Sequence, residues 1–182
     1  LKLNVEMKGI EIRQELVDFC NDAAAKCGFE QLSFQKSTIQ DLKESKIDIL
    51  IALHACDTAT DDAIFKGVSA KAALIICAPC CHKQLRQAAK GKEIANPLLK
   101  HGIFKERQYE MITDAMRALI MEKQQYNTKI FEFISNEHTR KNIMLVASKS
   151  NKKPMVEKID EEINTIKKEF NIEQHYLESL LN

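Results

Sequence analysis

Six side chains able to do chemistry stand in two short blocks of this chain. The first block is Leu53-His54-Ala55-Cys56-Asp57-Thr58-Ala59-Thr60-Asp61, and the second is Ala78-Pro79-Cys80-Cys81-His82. His54 and Asp57 are candidates to orient an acceptor or take a proton from it as general base. Cys56, Cys80 and Cys81, with His54 and His82, offer the soft donors that zinc prefers. Their spacing lacks the separated Cys-x-x-Cys knuckles of structural zinc sites, and adjacent cysteines at a strand end usually point different ways. No metal is therefore expected, and one small buried thiol beside one pocket thiol is the arrangement the sequence implies.

Each block follows an apolar run, residues 47–53 and 72–77, that reads as a strand buried on both faces. Ligands of open parallel sheets collect outside the carboxyl ends of the strands, so both blocks are expected to line one crevice.

The rest of the chain bounds what such a site can be. With 182 residues, 45% of them hydrophobic, it suits one domain with a substantial core. Lys plus Arg (27) nearly balance Asp plus Glu (26), so no global charge advertises nucleic acid or membrane. No apolar run reaches the roughly 20 residues needed to cross a bilayer, and six cysteines, two of them adjacent and four in apolar settings, fit a reducing compartment; a cytoplasmic location is expected. The five glycines are isolated, so no glycine-rich nucleotide loop lies within these residues. The opening at Leu1 suggests a chain that begins inside a longer product.

Alternating patterns predict strands over 5–12, 31–36, 47–53 and 72–78, with helices over 13–27, stopped by Gly28, and 58–67, capped by Asp57 or Thr58 and ended at Gly67. Residues 83–107 read as short helices and loops broken at Gly91, Pro97 and Gly102, and 109–125 as a long helix. Strands over 129–134 and 143–147, joined by a short polar turn, favour an antiparallel edge pair. Beyond a polar linker, Val156, Ile159, Ile163, Ile166 and Phe170 repeat at helical spacing and form one apolar stripe. That stripe docks on the same domain or serves a homodimer or partner interface.

This element order resembles the class I S-adenosylmethionine-dependent methyltransferases, an α/β, Rossmann-like doubly wound sheet with a reversed C-terminal β-hairpin. Gly9-Ile10-Glu11-Ile12 looks like their second strand with its terminal acid, and Ile39-Gln40-Asp41 like the loop after the third. The two chemistry-bearing blocks, with Thr113-Asp114-Ala115-Met116-Arg117-Ala118-Leu119 and residues 132–142, resemble one bacterial group of these enzymes and, more distantly, the methyltransferase-like 25 proteins. The resemblance covers about residues 5–149. It implies residues 1–149 as the C-terminal part of a methyltransferase domain, with the first strand and its glycine loop missing, and 150–182 as a linker and amphipathic helix. A chain without that loop is expected to bind the cofactor weakly or not at all.

Glu11 at a strand end can accept hydrogen bonds from both ribose hydroxyls, a chemistry shared by NAD and S-adenosylmethionine. With the resemblance, cofactor contacts are implied for Glu11, Ile12, Asp41, Leu42, Leu53 and His54, with Asp41 facing the adenine amino group. Catalytic roles are implied for His54, Asp57 and Cys80. Asp57 also reads as a plain N-cap and His54 as a buried, hydrogen-bonded histidine. Asp114 and Arg117, three apart, read as a surface pair or as reaching the pocket. His138, Lys141 and Asn142 are implied on the substrate side. Seven Lys or Arg against two acids over 83–107 make RNA a candidate acceptor. A NAD-dependent oxidoreductase and a non-catalytic or zinc-binding interaction module are the rival readings.

Overall fold

The computed structural model describes residues 4–43, 45–89, 96–134 and 142–181. The chain forms two compact units, Leu1–Lys43 and Glu44–Asn182.

In the first unit β1 (Met7–Glu11) and β2 (Leu32–Lys36) pair in parallel around α1 (Gln14–Lys26). The helix ends as anticipated: Gly28 takes φ +75°, Gly28 N donates to Ala25 O and Phe29 N to Ala24 O, which satisfies the last carbonyls. Asn21 reaches from α1 to β2, its Nδ2 donating to Phe34 O while Phe34 N donates to its Oδ1. That side chain occupies the outer edge of β2 as a neighbouring strand would. The buried face of α1 is Val17 and Ala24, with Leu16, Cys20 and Ala23 half-buried and Phe19 exposed. Phe19 thus lies outside the stripe to which its spacing assigns it.

The second unit holds a four-stranded sheet in the order β3-β4-β6-β5, of β3 (Ile49–Leu53), β4 (Leu74–Ala78), β5 (Tyr126–Glu132) and β6 (Ile143–Lys149). β3 and β4 run parallel, and β6 is antiparallel to both β4 and β5. The mixed sheet with its reversed hairpin is the arrangement the element order predicts. Ile75, Cys77, Leu145 and Ala147, on the two central strands, are fully buried. β3 departs from expectation. It is the edge strand of this sheet, and Ile49, Ile51 and Leu53 on one face are exposed while Ala52 on the other is buried.

α2 (Thr58–Ser69) runs past Gly67. A Cβ at Gly67 would stand 2.9 Å from the Ile75 side chain, so glycine there serves close helix–sheet approach rather than termination. The stop comes two residues after the helix, where Lys71 at φ 55° lets Ala72 N donate to Gly67 O. After α3 (Gln84–Ala88) and a short 3-10 turn at Pro97–Lys100, α4 (Gly102–Lys123) starts well before residue 109, its first turn beginning at Gly102 instead of being broken there.

α5 (Val156–Glu169) packs on α4 with Ile159 and Ile163 buried, and Lys123 Nζ holds Asp160 Oδ1 at 2.6 Å. The apolar stripe is therefore covered within the chain. A terminal helix for which the sequence offered no signal, α6 (Tyr176–Leu181), packs on α2, with Leu177 fully buried and Tyr176 Oη donating to Asp62 Oδ1. No described helix is long and apolar enough to cross a membrane.

Candidate active site

The two chemistry-bearing blocks leave neighbouring strand ends, since Leu53 of β3 pairs with Ala78 of β4. The turn after β3 is backbone-strained. His54 and Asp57 take φ of 56° and 51°, values costing non-glycine residues about 1–3 kcal/mol each, which persist only where surroundings over-determine them. Here they do. His54 N donates to Ala78 O, Thr60 Oγ1 donates to Ala55 O at 2.6 Å, and Arg117 Nη2 donates to Asp57 O at 2.9 Å.

Asp57 precedes α2 without capping it through its side chain. Its Oδ1 instead accepts from Lys83 N at 2.8 Å and Gln84 N at 3.0 Å, tying the first turn to the segment after the second block. Asp57 thus stands at the N-cap position of α2, as the sequence suggests, but its carboxylate serves the segment after β4 instead of capping the helix. His54 is exposed, and its ring has no hydrogen-bond partner among the described residues. The buried, hydrogen-bonded alternative does not hold.

The thiols converge. Cys56 Sγ lies 3.6 Å from Cys80 Sγ, and Cys80 Sγ lies 3.7 Å from Cys81 Sγ. All three sulfurs sit within 4.8 Å of one another. The adjacent cysteines therefore point the same way, contrary to the sequence expectation, because the chain leaves β4 through Pro79 into irregular backbone in which strand alternation no longer applies. Partial burial, then hydrogen bonding with Cys56 and Cys81, pushes the Cys80 thiol up to about 12. None of the six cysteines is in a disulfide.

Beneath both turns lies a buried ionic network. Arg117, fully buried on α4, donates from Nε to Asp61 Oδ1 at 2.7 Å, from Nη2 to Asp61 Oδ2 at 3.2 Å and from Nη1 to Asp114 Oδ1 at 3.1 Å. Asp114 in turn accepts from His82 Nε2, 3.0 Å from each oxygen. Desolvation opposes the Arg117 charge, but Asp61 and Asp114 outweigh it and raise its pKa. Asp114 and Arg117 are thus interior groups rather than a surface pair. One guanidinium fastens the first block through Asp57 O and Asp61 and the second through Asp114 and His82. His175, fully buried, accepts from Leu177 N at Nδ1; burial, then the Arg117 charge, lowers its pKa to about 3, so it stays neutral. Sequence reasoning gave Asp61 and His175 no role. The signal for Arg117 was there: Met116, Ala118, Ile120 and Met121 leave a basic residue in a helix stretch apolar nearly all round.

The predicted cofactor residues Glu11, Ile12, Asp41 and Leu42 belong to the first unit, and Leu53 and His54 to the second. Glu11 Oε1 accepts from Ile12 N, Arg13 N and Arg13 Nε, and the Arg13 bonds hold its carboxyl below the usual range. Oε2 makes no hydrogen bond among the described residues, so Glu11 as it stands offers one free oxygen rather than two. Asp41 Oδ2 accepts from Thr38 Oγ1 at 2.6 Å and Asp41 N donates back to that hydroxyl, fixing the loop after β2. Leu53 is exposed.

His138 and Lys141, with Lys90 and Lys92 of the basic segment, lie outside the described residues. Asn142 is buried, donating from Nδ2 to Ile134 O at 2.8 Å, while its carbonyl accepts from Phe133 N; it braces the β5–β6 pair. A cavity of about 280 Å³ opens beside Tyr126, Asn127, Ser150 and Lys152, at the end of the sheet remote from the Leu53–Ala78 pair, and holds none of the predicted site residues.

A comparison with curated protein sequences finds no match. Among solved structures the chain is similar to the YcgJ protein of Bacillus subtilis, with 11% identity and a TM-score of 0.43 over 81% of this chain and 83% of that one. The fold assignment rests on strand order rather than on that likeness. The model of a family described as methyltransferase domain matches residues 1–88. The match takes in the β1 terminal acid, the loop after β2 and both strand-end blocks. Residues 1–88 of this chain, just under half of its 182 residues, are similar to the methyltransferase-domain family.

Proposed function

We propose that this protein transfers a methyl group from S-adenosylmethionine to a nucleophilic acceptor by in-line displacement. The observation that carries the reading is that the family match includes the two strand-end turns, which the Arg117 network and the Asp57 carboxylate lock together. S-adenosylmethionine supplies an electrophilic methyl group on a sulfonium centre. What remains for the protein is holding donor and acceptor in line and moving one proton.

In this reading Glu11 Oε2 accepts from a ribose hydroxyl, Ile12 and Leu42 offer apolar surface to the adenine, and Asp41 keeps one oxygen for its amino group. In the second unit, Leu53 and the His54 backbone are the proposed contacts of the methionine end. The unpartnered His54 ring is the general base that takes the acceptor's proton, Asp57 is a positioning residue that sets the turn, and Cys80 walls the acceptor side. Residues 1–149 form the methyltransferase portion, and beyond it α5 and α6 pack on α4 and α2 of the second unit. Free cysteines throughout suit a reducing, cytoplasmic setting.

RNA is the acceptor class we favour, on the basic stretch after the second block. Arg86 there is paired with Glu106 at 3.0 Å, leaving Lys83, Lys100, Lys105 and Arg107 as the described candidates for phosphate contacts. Incubating the full-length protein with methyl-labelled S-adenosylmethionine and, separately, total RNA, protein extract and small-molecule pools tests this. Label in RNA, falling steeply as salt rises, is expected; label confined to protein or small molecules excludes RNA, and label in none contradicts the transferase reading.

A further inference from the structure

We propose that Cys56, Cys80 and Cys81 form a zinc site with three thiolate ligands and one open position. Two sulfurs each about 2.3 Å from a tetrahedral zinc stand about 3.8 Å apart. The observed Sγ separations of 3.6 and 3.7 Å, with all three sulfurs within 4.8 Å, need only small rotamer adjustments to reach that geometry. Each thiol would give up its proton to solvent as its S–Zn bond forms, so uptake should release protons.

The backbone around the sulfurs is built to hold them. Cys56 sits between the two positive-φ residues His54 and Asp57, and Cys80 and Cys81 sit between β4 and α3. The Asp57 carboxylate joins these segments through Lys83 N and Gln84 N, while Arg117 fixes Asp57 O and, through Asp114, His82 next to Cys81. Ligand-bearing turns fixed by outer hydrogen bonds are what a metal site requires. Cys56 is exposed and the other two are half-buried, which leaves a path for an ion to enter. Thiolates select zinc or copper(I) over harder ions, and a site with three protein ligands keeps a fourth position for water or a soft ligand. The sequence concealed the site because its ligands lack knuckle spacing and meet only when two strand ends do.

Titrating the reduced, metal-free full-length protein with cobalt(II) tests the proposal. Expected are one cobalt bound per chain, thiolate-to-cobalt charge-transfer absorption, the strong visible bands of tetrahedral coordination, and displacement of cobalt by zinc. Cys56→Ser, at an exposed position that perturbs folding least, should weaken cobalt binding at least tenfold, as should Cys80→Ser. Cys20→Ser and Cys27→Ser should bind like the parent. Absence of the charge-transfer band, octahedral spectra, or undiminished binding by Cys56→Ser with native circular dichroism would each overturn the site.

Discussion

Replacing Arg117 with methionine should lower unfolding free energy by about 3–5 kcal/mol, the cost of leaving buried charges without their partner. The size follows from the geometry: Asp61 and Asp114 are both buried, and the guanidinium supplies three of their hydrogen bonds plus one to Asp57 O. The loss should come mostly from stranded carboxylates rather than from lost attraction. Adding Asp61→Asn and Asp114→Asn to the methionine variant should therefore recover a large part of it, because uncharged amides are cheaper to bury. Denaturant unfolding of the single and triple variants measures both numbers. A single-variant cost under about 1 kcal/mol, the value of an exposed pair, would mean that the network does not hold the turns. Arg117→Lys should rescue only partly, since one ammonium cannot reproduce a planar fork that spans two carboxylates and a carbonyl.

Replacing His54 with asparagine should slow methyl transfer by about 10²–10⁴-fold, the usual worth of a positioned general base. Asparagine tolerates positive φ, so the turn and its links to Ala78 and Arg117 should survive. Cofactor affinity should stay within about twofold, which separates this variant from one that damages binding. Single-turnover kinetics with the preferred acceptor makes the comparison. A rate within about threefold of the parent would remove His54 from the chemistry and leave the turn a purely positioning element.

Periodic, local features were the ones legible in the sequence. Ile159 and Ile163 are buried at the spacing that marked them, the strand ends at Glu11 and Leu53 fall where expected, and the short polar connection does join antiparallel strands. Features whose meaning depends on a distant partner were not. Gly67 looked like a helix stop because glycine often is one, yet Ile75 of the next strand is what excludes a side chain there. Arg117 and Asp114 looked like a surface pair because helix spacing says nothing of the carboxylate on α2 and the histidine beyond β4 that meet them. Cys80 and Cys81 looked divergent because strand alternation was carried past the residue where the strand ends. Glu11 at a strand end implies two oxygens for a ribose, and the near neighbour Arg13 takes one of them. Asp57 kept its importance and changed its partner, from the helix it precedes to the segment after the second block.

The account stands on the cofactor, and isothermal titration of the full-length protein with S-adenosylmethionine, with NAD as the competing ligand, tests it most directly. The prediction is weak but saturable binding of S-adenosylmethionine, one per chain, weakened further about tenfold by Glu11→Gln, with no heat from NAD. Binding of NAD in place of S-adenosylmethionine by protein that is folded by circular dichroism would contradict the methyltransferase reading.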